Sequence, residues 1–297
     1  MKKFLIGGSP CTYWSIAQSE NRETVAEGVG WELFKNYLIA KEKFKPDFFL
    51  YENNKSAAQA IKDQIATELA APLQYINSAL VSAQNRERFY VHNFGEVPPP
   101  KDRKISFQDI MERDVEELKK YKVPRTPSRE RMWNDGNGDR IPHSCKNITH
   151  EIKTRCLTTK QDRSSNTGLI AFEDFCRYIT VKEAHRLQTM PDDYCRVATK
   201  NQAYKALGNG WTAEVIIHLI SYALKDIPKD EEIIVLSMYD GIGTGRYCFD
   251  KLGYNNIKYY AYEIDKYAMQ IANSNYADII QCGDAFRVRD EGWEVEQ

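Results

Sequence analysis

Short runs that are apolar at every position alternate along this chain with longer stretches that are apolar on one side only. Phe4-Leu5-Ile6, Phe48-Phe49-Leu50-Tyr51 and Ile233-Ile234-Val235-Leu236 are of the first kind, the pattern of strands covered on both faces of a parallel sheet. Between the first two runs, Leu33, Phe34, Tyr37, Leu38 and Phe44 recur near helical spacing and predict a helix over Trp31–Phe44, broken by Lys45-Pro46-Asp47. Lys55–Ala71 reads as a second amphipathic helix stopped by Pro72, and Pro72–Val81 and Arg88–Phe94 read as further strands. Thr180 with Glu183 forms a capping box that starts a helix running to Leu187 and ended by Pro191-Asp192. Ala213–Leu224 is a strongly apolar helix, and Ile227–Glu232 is a short polar connection into the strand Ile233–Tyr239. Tyr259–Tyr262 and Ile279–Cys282 complete the set of predicted strands. Strands alternating with helices predict an α/β fold with a doubly wound sheet.

Two segments break this pattern. Thr12–Gly30 is polar and contains glycine, which suits a mobile surface loop better than a packed element. From Pro98-Pro99-Pro100 to Phe175 the chain is polar and basic, with Lys101, Arg103, Lys119, Arg125, Arg129, Arg131, Arg140 and Lys153 interleaved with Tyr121, Trp133 and His143. A charged stretch is ordinarily a solvated face. As an insertion between two halves of an α/β core it is also a candidate nucleic-acid surface. The whole chain of 297 residues carries a net charge of only −1, so a polyanion site has to be a local basic patch. The apolar and charged fractions, 42% and 28%, are those of an ordinary globular protein. Seven cysteines without C-x-x-C spacing point to reduced thiols and a cytoplasmic setting. Neither an apolar run near membrane-spanning length nor a signal-peptide pattern is present, so no membrane partner is expected.

Chemistry-bearing residues collect where the predicted strands end. The first strand runs into Gly7-Gly8-Ser9-Pro10-Cys11 and the second into Glu52-Asn53-Asn54, which brings a thiol and a carboxylate to the carboxyl edge of one sheet. Gln84-Asn85-Arg86-Glu87-Arg88 has two arginines two apart, a spacing that on a strand puts both guanidinium groups on one face. Ile233–Tyr239 is followed by Asp240-Gly241-Ile242-Gly243-Thr244-Gly245, the position of a cofactor loop in a doubly wound fold. Glu263 ends the next strand, where an acid accepts hydrogen bonds from a ribose diol, and Asp284 follows the third. Taken singly each signal is weak: Cys11 reads equally as a small buried hydrophobe, and Glu52 and the arginines as solvated surface groups.

Taken together they resemble the DNA cytosine-5 methyltransferase family, and within it the branch of the de novo DNA methyltransferases. Gly8-Ser9-Pro10-Cys11 is similar to the family's Pro-Cys motif, Glu52-Asn53-Asn54 to its Glu-Asn-Val motif, and Gln84-x-Arg86-x-Arg88 to its Gln-x-Arg-x-Arg motif. Arg177-Tyr178-Ile179-Thr180, Glu183, Arg186-Leu187-Gln188 and Pro191-Asp192 are similar to the signature that follows the target-recognition region, and Gly208-Asn209-Gly210-Trp211 to the Gly-Asn-Ser motif. Gly210 replaces a serine common there, Asn54 a valine, and Val29 an arginine that often precedes Gly30-x-x-Leu33-Phe34. In the family the cofactor motifs come first, whereas here the Pro-Cys strand comes before them. The resemblance therefore implies a circularly permuted, Rossmann-like S-adenosylmethionine-dependent methyltransferase core carrying a small irregular target-recognition region.

It further implies a catalytic half over residues 1–97, target recognition over 98–175, closing helices over 176–226 and a cofactor-binding half over 227–297. Cys11 is the implied nucleophile toward a flipped cytosine, with Glu52, Arg86 and Arg88 as the other catalytic residues. The implied cofactor is S-adenosylmethionine, with S-adenosylhomocysteine as product and no metal. Leu33, Asn209, Trp211, Tyr239, Asp240, Gly241, Ile242, Gly243, Thr244, Gly245, Glu263, Ile264 and Asp284 are its implied contacts. The implied partner is double-stranded DNA in a bacterial or phage modification setting, with a cognate restriction nuclease as an open partner. Methylation of tRNA cytosine and a catalytically silent binding homologue are the competing readings.

Overall fold

β1 (Lys2–Gly7) is the middle strand of a seven-stranded sheet ordered β3-β4-β2-β1-β7-β8-β9 in the computed structural model. The structure describes residues 1–16, 22–124, 126–127, 147–161, 167–172 and 175–293. The flanking strands are β2 (Phe48–Asn54), β3 (Leu73–Asn77), β4 (Glu87–His92), β7 (Ile233–Met238), β8 (Ile257–Tyr262) and β9 (Ile279–Gly283). β1 runs parallel to both β2 and β7, with Ile6 opposite Leu50 on one side and Ser237 on the other. β8 and β9 continue the parallel half, while β4 pairs antiparallel with β2. The expected union of the strands at residues 4–6, 48–51 and 233–239 in one parallel sheet is thus observed. Strands far apart in sequence form its centre.

Helices cover both faces, which is why the central strands are apolar at every position. On one face Leu5, Phe49, Tyr51, Leu236 and Met238 pack with Phe34, Tyr37 and Phe44 of α1 (Gly28–Phe44) and with Ile61 and Ile65 of α2 (Gln59–Leu69). On the other, Phe4 stacks on Phe48 at 4.8 Å between centroids and meets Phe249 edge-on at 5.2 Å. Both α1 and α2 end in a left-handed cap, at Lys45 and Ala70 respectively. β2 runs on through Glu52 to Asn54, where the sequence pattern stops it at Tyr51, because Tyr51 to Asn54 find ladder partners in β4. The connection from residue 227 to residue 232 is pinned by Tyr254, whose hydroxyl donates to the carbonyls of Leu224 and Ile227 at 3.0 and 2.7 Å.

A second compact unit comprises Asn77–Arg86 and Pro100–Val215; the sheet belongs to the first, which holds Met1–Ile76, Glu87–Pro99 and Ile216–Gln297. The second unit contains α3 (Phe107–Ile110), α4 (Val115–Lys119), the antiparallel pair β5 (Leu169–Phe172) and β6 (Phe175–Tyr178), α5 (Val181–Leu187) and α6 (Lys200–Asn209). Its α5 has the capping box that Thr180 and Glu183 predict. Glu183 also forms a two-pronged ion pair with Arg177 at 2.8 and 2.8 Å, with both side chains fully buried. α7 (Ala213–Ala223) spans the boundary between the two units. Arg125, Arg129, Arg131, Trp133, Arg140 and His143 of the basic segment lie outside the described residues. Among the described residues no helix is long and apolar enough to cross a membrane.

Phe4 is fully buried between two aromatic rings at the centre of the sheet. Phe4→Ala should therefore lower the unfolding free energy by about 3–5 kcal/mol. Urea titration checks this, and a loss below about 1 kcal/mol would mean that the site collapses around the deletion.

Candidate active site

The register of β2, β1 and β7 brings their C-terminal ends side by side, with Gly7 opposite both Tyr51 and Met238. A Cβ on Gly7, which has φ +154°, would stand 2.3 Å from the Met238 carbonyl oxygen. One on Gly8 would stand 2.4 Å from the Glu52 carbonyl oxygen and 3.2 Å from its Oε2. The turn out of β1 threads between two strand ends, and only glycine fits there. Ser9 is then clamped. Its hydroxyl lies 2.7 Å from the Tyr51 hydroxyl, and Asn53 Nδ2 donates to the Ser9 carbonyl at 2.9 Å and to the Tyr51 hydroxyl at 3.0 Å. Burial pushes the Tyr51 phenol far above its ordinary pKa, so it stays a neutral hydrogen-bonding group. Pro10 caps a single 3-10 turn, Cys11–Tyr13, which presents a half-buried Cys11.

Glu52 and Arg88 meet at this edge. Arg88 Nε lies 3.0 Å from Glu52 Oε1, with side chains 13% and 12% exposed. Arg88 stands opposite Asn54 in the β2–β4 ladder, two positions beyond the Tyr90–Glu52 pair and so on the same face of the sheet. Arg86 does not share a strand face with it. It precedes β4 and belongs to the second unit. There its guanidinium donates to the carbonyls of Leu157, Gly208 and Gly210 at 3.1, 3.1 and 2.7 Å. The spacing argument fails because the chain leaves the ladder between the two arginines. Arg86, with Gln188 donating to Leu207 and Gly210, holds the turn that carries Asn209 and Trp211 in that unit.

The segment after Cys11 departs from a simple surface loop. Trp14 is fully buried. Its indole donates to Glu23 Oε2 at 3.0 Å, and Glu23 also accepts from the Gly30 amide at 3.1 Å. α1 consequently begins at Gly28, ahead of the apolar pattern, with Gly30 lying where a Cβ would strike Trp14 Nε1 at 2.5 Å. Residues 17–21 of this segment lie outside the described residues.

The glycine loop after β7 lies at the same sheet edge. Tyr239 adopts φ +60°, and its hydroxyl donates to the Leu33 carbonyl at 2.7 Å and accepts from Asn36 Nδ2 at 3.1 Å. Gly241, at φ +65°, has open space where a Cβ would stand. Its amide donates to Glu263 Oε2 at 2.8 Å, while the Ile264 and Asp265 amides donate to Oε1, each at 2.8 Å. Asp284 follows β9 and accepts from the Phe286 amide at 2.9 Å. An open glycine turn beside Glu263, with Asp284 at the end of the next strand, suits a ligand bearing a diol and an exocyclic amine, so these residues fit the implied S-adenosylmethionine. Ile264 is an exposed surface side chain. Ile242 and Thr244 are buried, and a Cβ on Gly245 would meet Ile6 and Tyr259 at 2.4 Å, so this part of the loop packs the helix α8 (Thr244–Lys251) on the sheet. Asp240 points inward, accepting from Ser237 Oγ at 2.7 Å and the Tyr259 hydroxyl at 2.6 Å. Ser9 and Asn53 stand in the sequence only as members of the Pro-Cys and Glu-Asn motifs, and Glu23 and Asn36 stand in no motif. A polar residue inside an apolar helical pattern, as at Asn36, was the available signal.

A sequence model of the family described as C-5 cytosine-specific DNA methylase matches residues 1–124 and 96–225. The Type II methyltransferase M1.ScrFI of Lactococcus lactis subsp. cremoris is 27% identical over 248 residues, covering 75% of this chain and 62% of that protein. The Type II methyltransferase M.SsoII of Shigella sonnei is 27% identical over 239 residues, covering 72% and 62%. The chain thus spans about three-fifths of the length of these relatives. Among solved structures, S. pombe Dnmt2 methyltransferase aligns with a TM-score of 0.48 at 16% identity over 66% of this chain and 72% of that one. A Spodoptera frugiperda DNMT2 mutant aligns with a TM-score of 0.49 at 18% identity over 74% and 78%.

Burial pushes the Asp240 carboxyl up to about 6, against the hydrogen bonds from Tyr259 and Ser237 that favour the charged form. A carboxyl raised in the folded state binds its proton more tightly there than in the unfolded chain, so its stabilising contribution is full below about pH 4 and is lost as pH rises toward 6. Relative to Asp240→Asn, the native chain should lose up to about 3 kcal/mol of stability between pH 4 and pH 7. Parallel denaturation curves at the two pH values measure this. A pH-independent difference would contradict the buried, raised carboxyl.

Proposed function

The chain belongs to the C-5 cytosine-specific DNA methylase family, and on that premise we propose that it transfers a methyl group to C5 of cytosine in double-stranded DNA. The observation that carries the proposal is the convergence at one sheet edge of the Cys11 turn, the Glu52–Arg88 pair and the glycine loop after β7. S-adenosylmethionine, when bound, would supply an electrophilic methyl group; Gly241, Glu263, Asp284 and Tyr239 would hold it.

Cytosine C5 is too weak a nucleophile unaided, so Cys11 Sγ, as the thiolate, bonds to C6 and drives electron density through the ring to C5. Glu52, entering the reaction protonated on its second oxygen while Oε1 accepts from Arg88, hydrogen-bonds the ring at N3 and gives up that proton as the charge develops. Arg88, oriented by its ion pair with Glu52, stabilises the charge at O2. After C5 has taken the methyl group, solvent water takes the C5 proton, the C5–H electron pair becomes the C5–C6 double bond and Sγ leaves C6 as the thiolate. N3 returns its proton to Glu52, which restores the neutral aromatic base. A base inside a duplex cannot be reached in this way, so the target is flipped out. The clamp of Ser9 by Asn53 and Tyr51 fixes the turn that aims the thiol.

The order of the motifs, with the Cys11 strand before the glycine loop in one continuous sheet, supports a circularly permuted arrangement of this fold. The bacterial Type II relatives support a role in DNA modification, with a cognate nuclease as a partner.

Cys11→Ser should abolish methyl transfer to mixed-sequence duplex DNA while leaving S-adenosylhomocysteine affinity within about twofold, since alcohols are far poorer nucleophiles than thiolates. Retention of more than a few per cent of turnover would rule out the covalent route. Exchange of residues 98–175 with the matching segment of a relative should move the methylated sequence, read by sequencing the product. An unchanged target would assign recognition to the sheet-edge loops.

A further inference from the structure

Asn36 is the fully buried asparagine of α1, one turn before Ala40 and bonded toward the turn Ala285–Arg289. A buried amide costs stability unless all its groups are bonded. Here each end of the amide reaches a different loop. Nδ2 donates to the Tyr239 hydroxyl at 3.1 Å, and Oδ1 accepts from Arg289 Nε at 2.7 Å. Arg289 ends the 3-10 turn Ala285–Arg289 that Asp284 caps, and its Nη2 also reaches Glu32 Oε2 at 3.1 Å. The Tyr239 hydroxyl in turn donates to the Leu33 carbonyl at 2.7 Å. One side chain on α1 therefore ties the loop after β7 to the turn after β9.

We propose that Asn36 is a positioning residue for the adenosyl end of the cofactor site. It acts through Tyr239 and Arg289 and rests on the cofactor reading given above. Tyr239 needs such a support because a non-glycine residue at φ +60° is held there only when its surroundings over-determine it. Its hydroxyl is the handle: bonded on α1 at both its donor and acceptor sides, it sets the tilt of a ring whose backbone leads straight into Asp240-Gly241. Arg289 does the same for the segment that begins at Asp284. With Asn36 in place the two loops are fixed before any ligand arrives, and binding does not have to order them.

S-adenosylhomocysteine binding measured by calorimetry on the full chain tests this with four proteins: the native chain, Asn36→Leu, Tyr239→Phe and the double variant. Asn36→Leu keeps the branching and heavy-atom count of the side chain and removes both hydrogen bonds. It should weaken S-adenosylhomocysteine binding about fivefold to tenfold, the effect of one net hydrogen bond. Tyr239→Phe keeps the ring and removes only the hydroxyl, and should weaken binding by a similar factor. Because Asn36 acts largely through that hydroxyl, the double variant should be little worse than either single one. Additive losses would mean that Asn36 merely shapes α1, and an affinity within twofold of the native value in Asn36→Leu would overturn the proposal. Failure of the native chain to bind S-adenosylhomocysteine would instead overturn the cofactor reading and this inference with it. If Asn36→Leu does not fold, Asn36→Ala and Asn36→Ser, judged by an unliganded melting curve, provide the same cycle.

Discussion

Two backbone carbonyls, one at the end of β7 and one in β2, come so close to the chain leaving β1 that no side chain fits between them. Virtual Cβ atoms on Gly7 and Gly8 would stand 2.3 Å from the Met238 oxygen and 2.4 Å from the Glu52 oxygen. This close approach follows from the parallel registration of three central strands. It also fixes the distance between what the turn carries, Cys11, and what the neighbouring strand ends carry, Glu52 and the glycine loop. A parallel sheet places every strand's functional end at one edge. The glycines let the central strand's end lie in contact with both neighbours.

Within each unit, buried polar groups are consumed by positioning. Asn53 spends its amide on Ser9 and Tyr51, Glu23 on Trp14 and Gly30, and Arg86 on three backbone carbonyls of its own unit. Removing one partner of a buried bond leaves the other unsatisfied at about 1–3 kcal/mol, so such residues are costly to change even where they touch no substrate. The Arg177–Glu183 pair belongs to the same class, with the Thr180 and Glu112 amides at 2.7 and 2.9 Å filling the remaining acceptor positions on the carboxylate. A buried carboxylate is tolerated when its acceptor positions are filled in this way.

α1 links the parts of the first unit. Its N-terminus is held by Glu23 beside the Cys11 turn, its middle binds Tyr239 and Arg289, and its last turn presents Lys43 to the carbonyls of Val288, Arg289 and Glu291. A single rigid helix thus touches the thiol-bearing turn and both carboxyl-edge loops of the cofactor half.

The sequence by itself determined the strands, the order of the motifs and the residues that gather at the strand ends. Fully apolar runs such as Phe4-Leu5-Ile6 and Ile233–Leu236 arise where both faces of a strand are covered, and the glycines after them mark a close backbone approach, as at Gly7 and Gly8, or a turn at positive φ, as at Gly241. Tertiary structure alone decided what the polar residues do. Arg86 and Arg88 are indistinguishable in a sequence read by spacing, yet one pairs with Glu52 and the other clamps a turn in the second unit. Asp240 reads as a loop residue and is buried against Tyr259 and Ser237. Trp14 and Glu23 lie in a stretch with no periodicity and still anchor α1. The physical reason is one of range. Hydrophobic periodicity records a residue's immediate environment along its own element, whereas a hydrogen-bond partner is set by which distant segment the fold brings within about 3 Å.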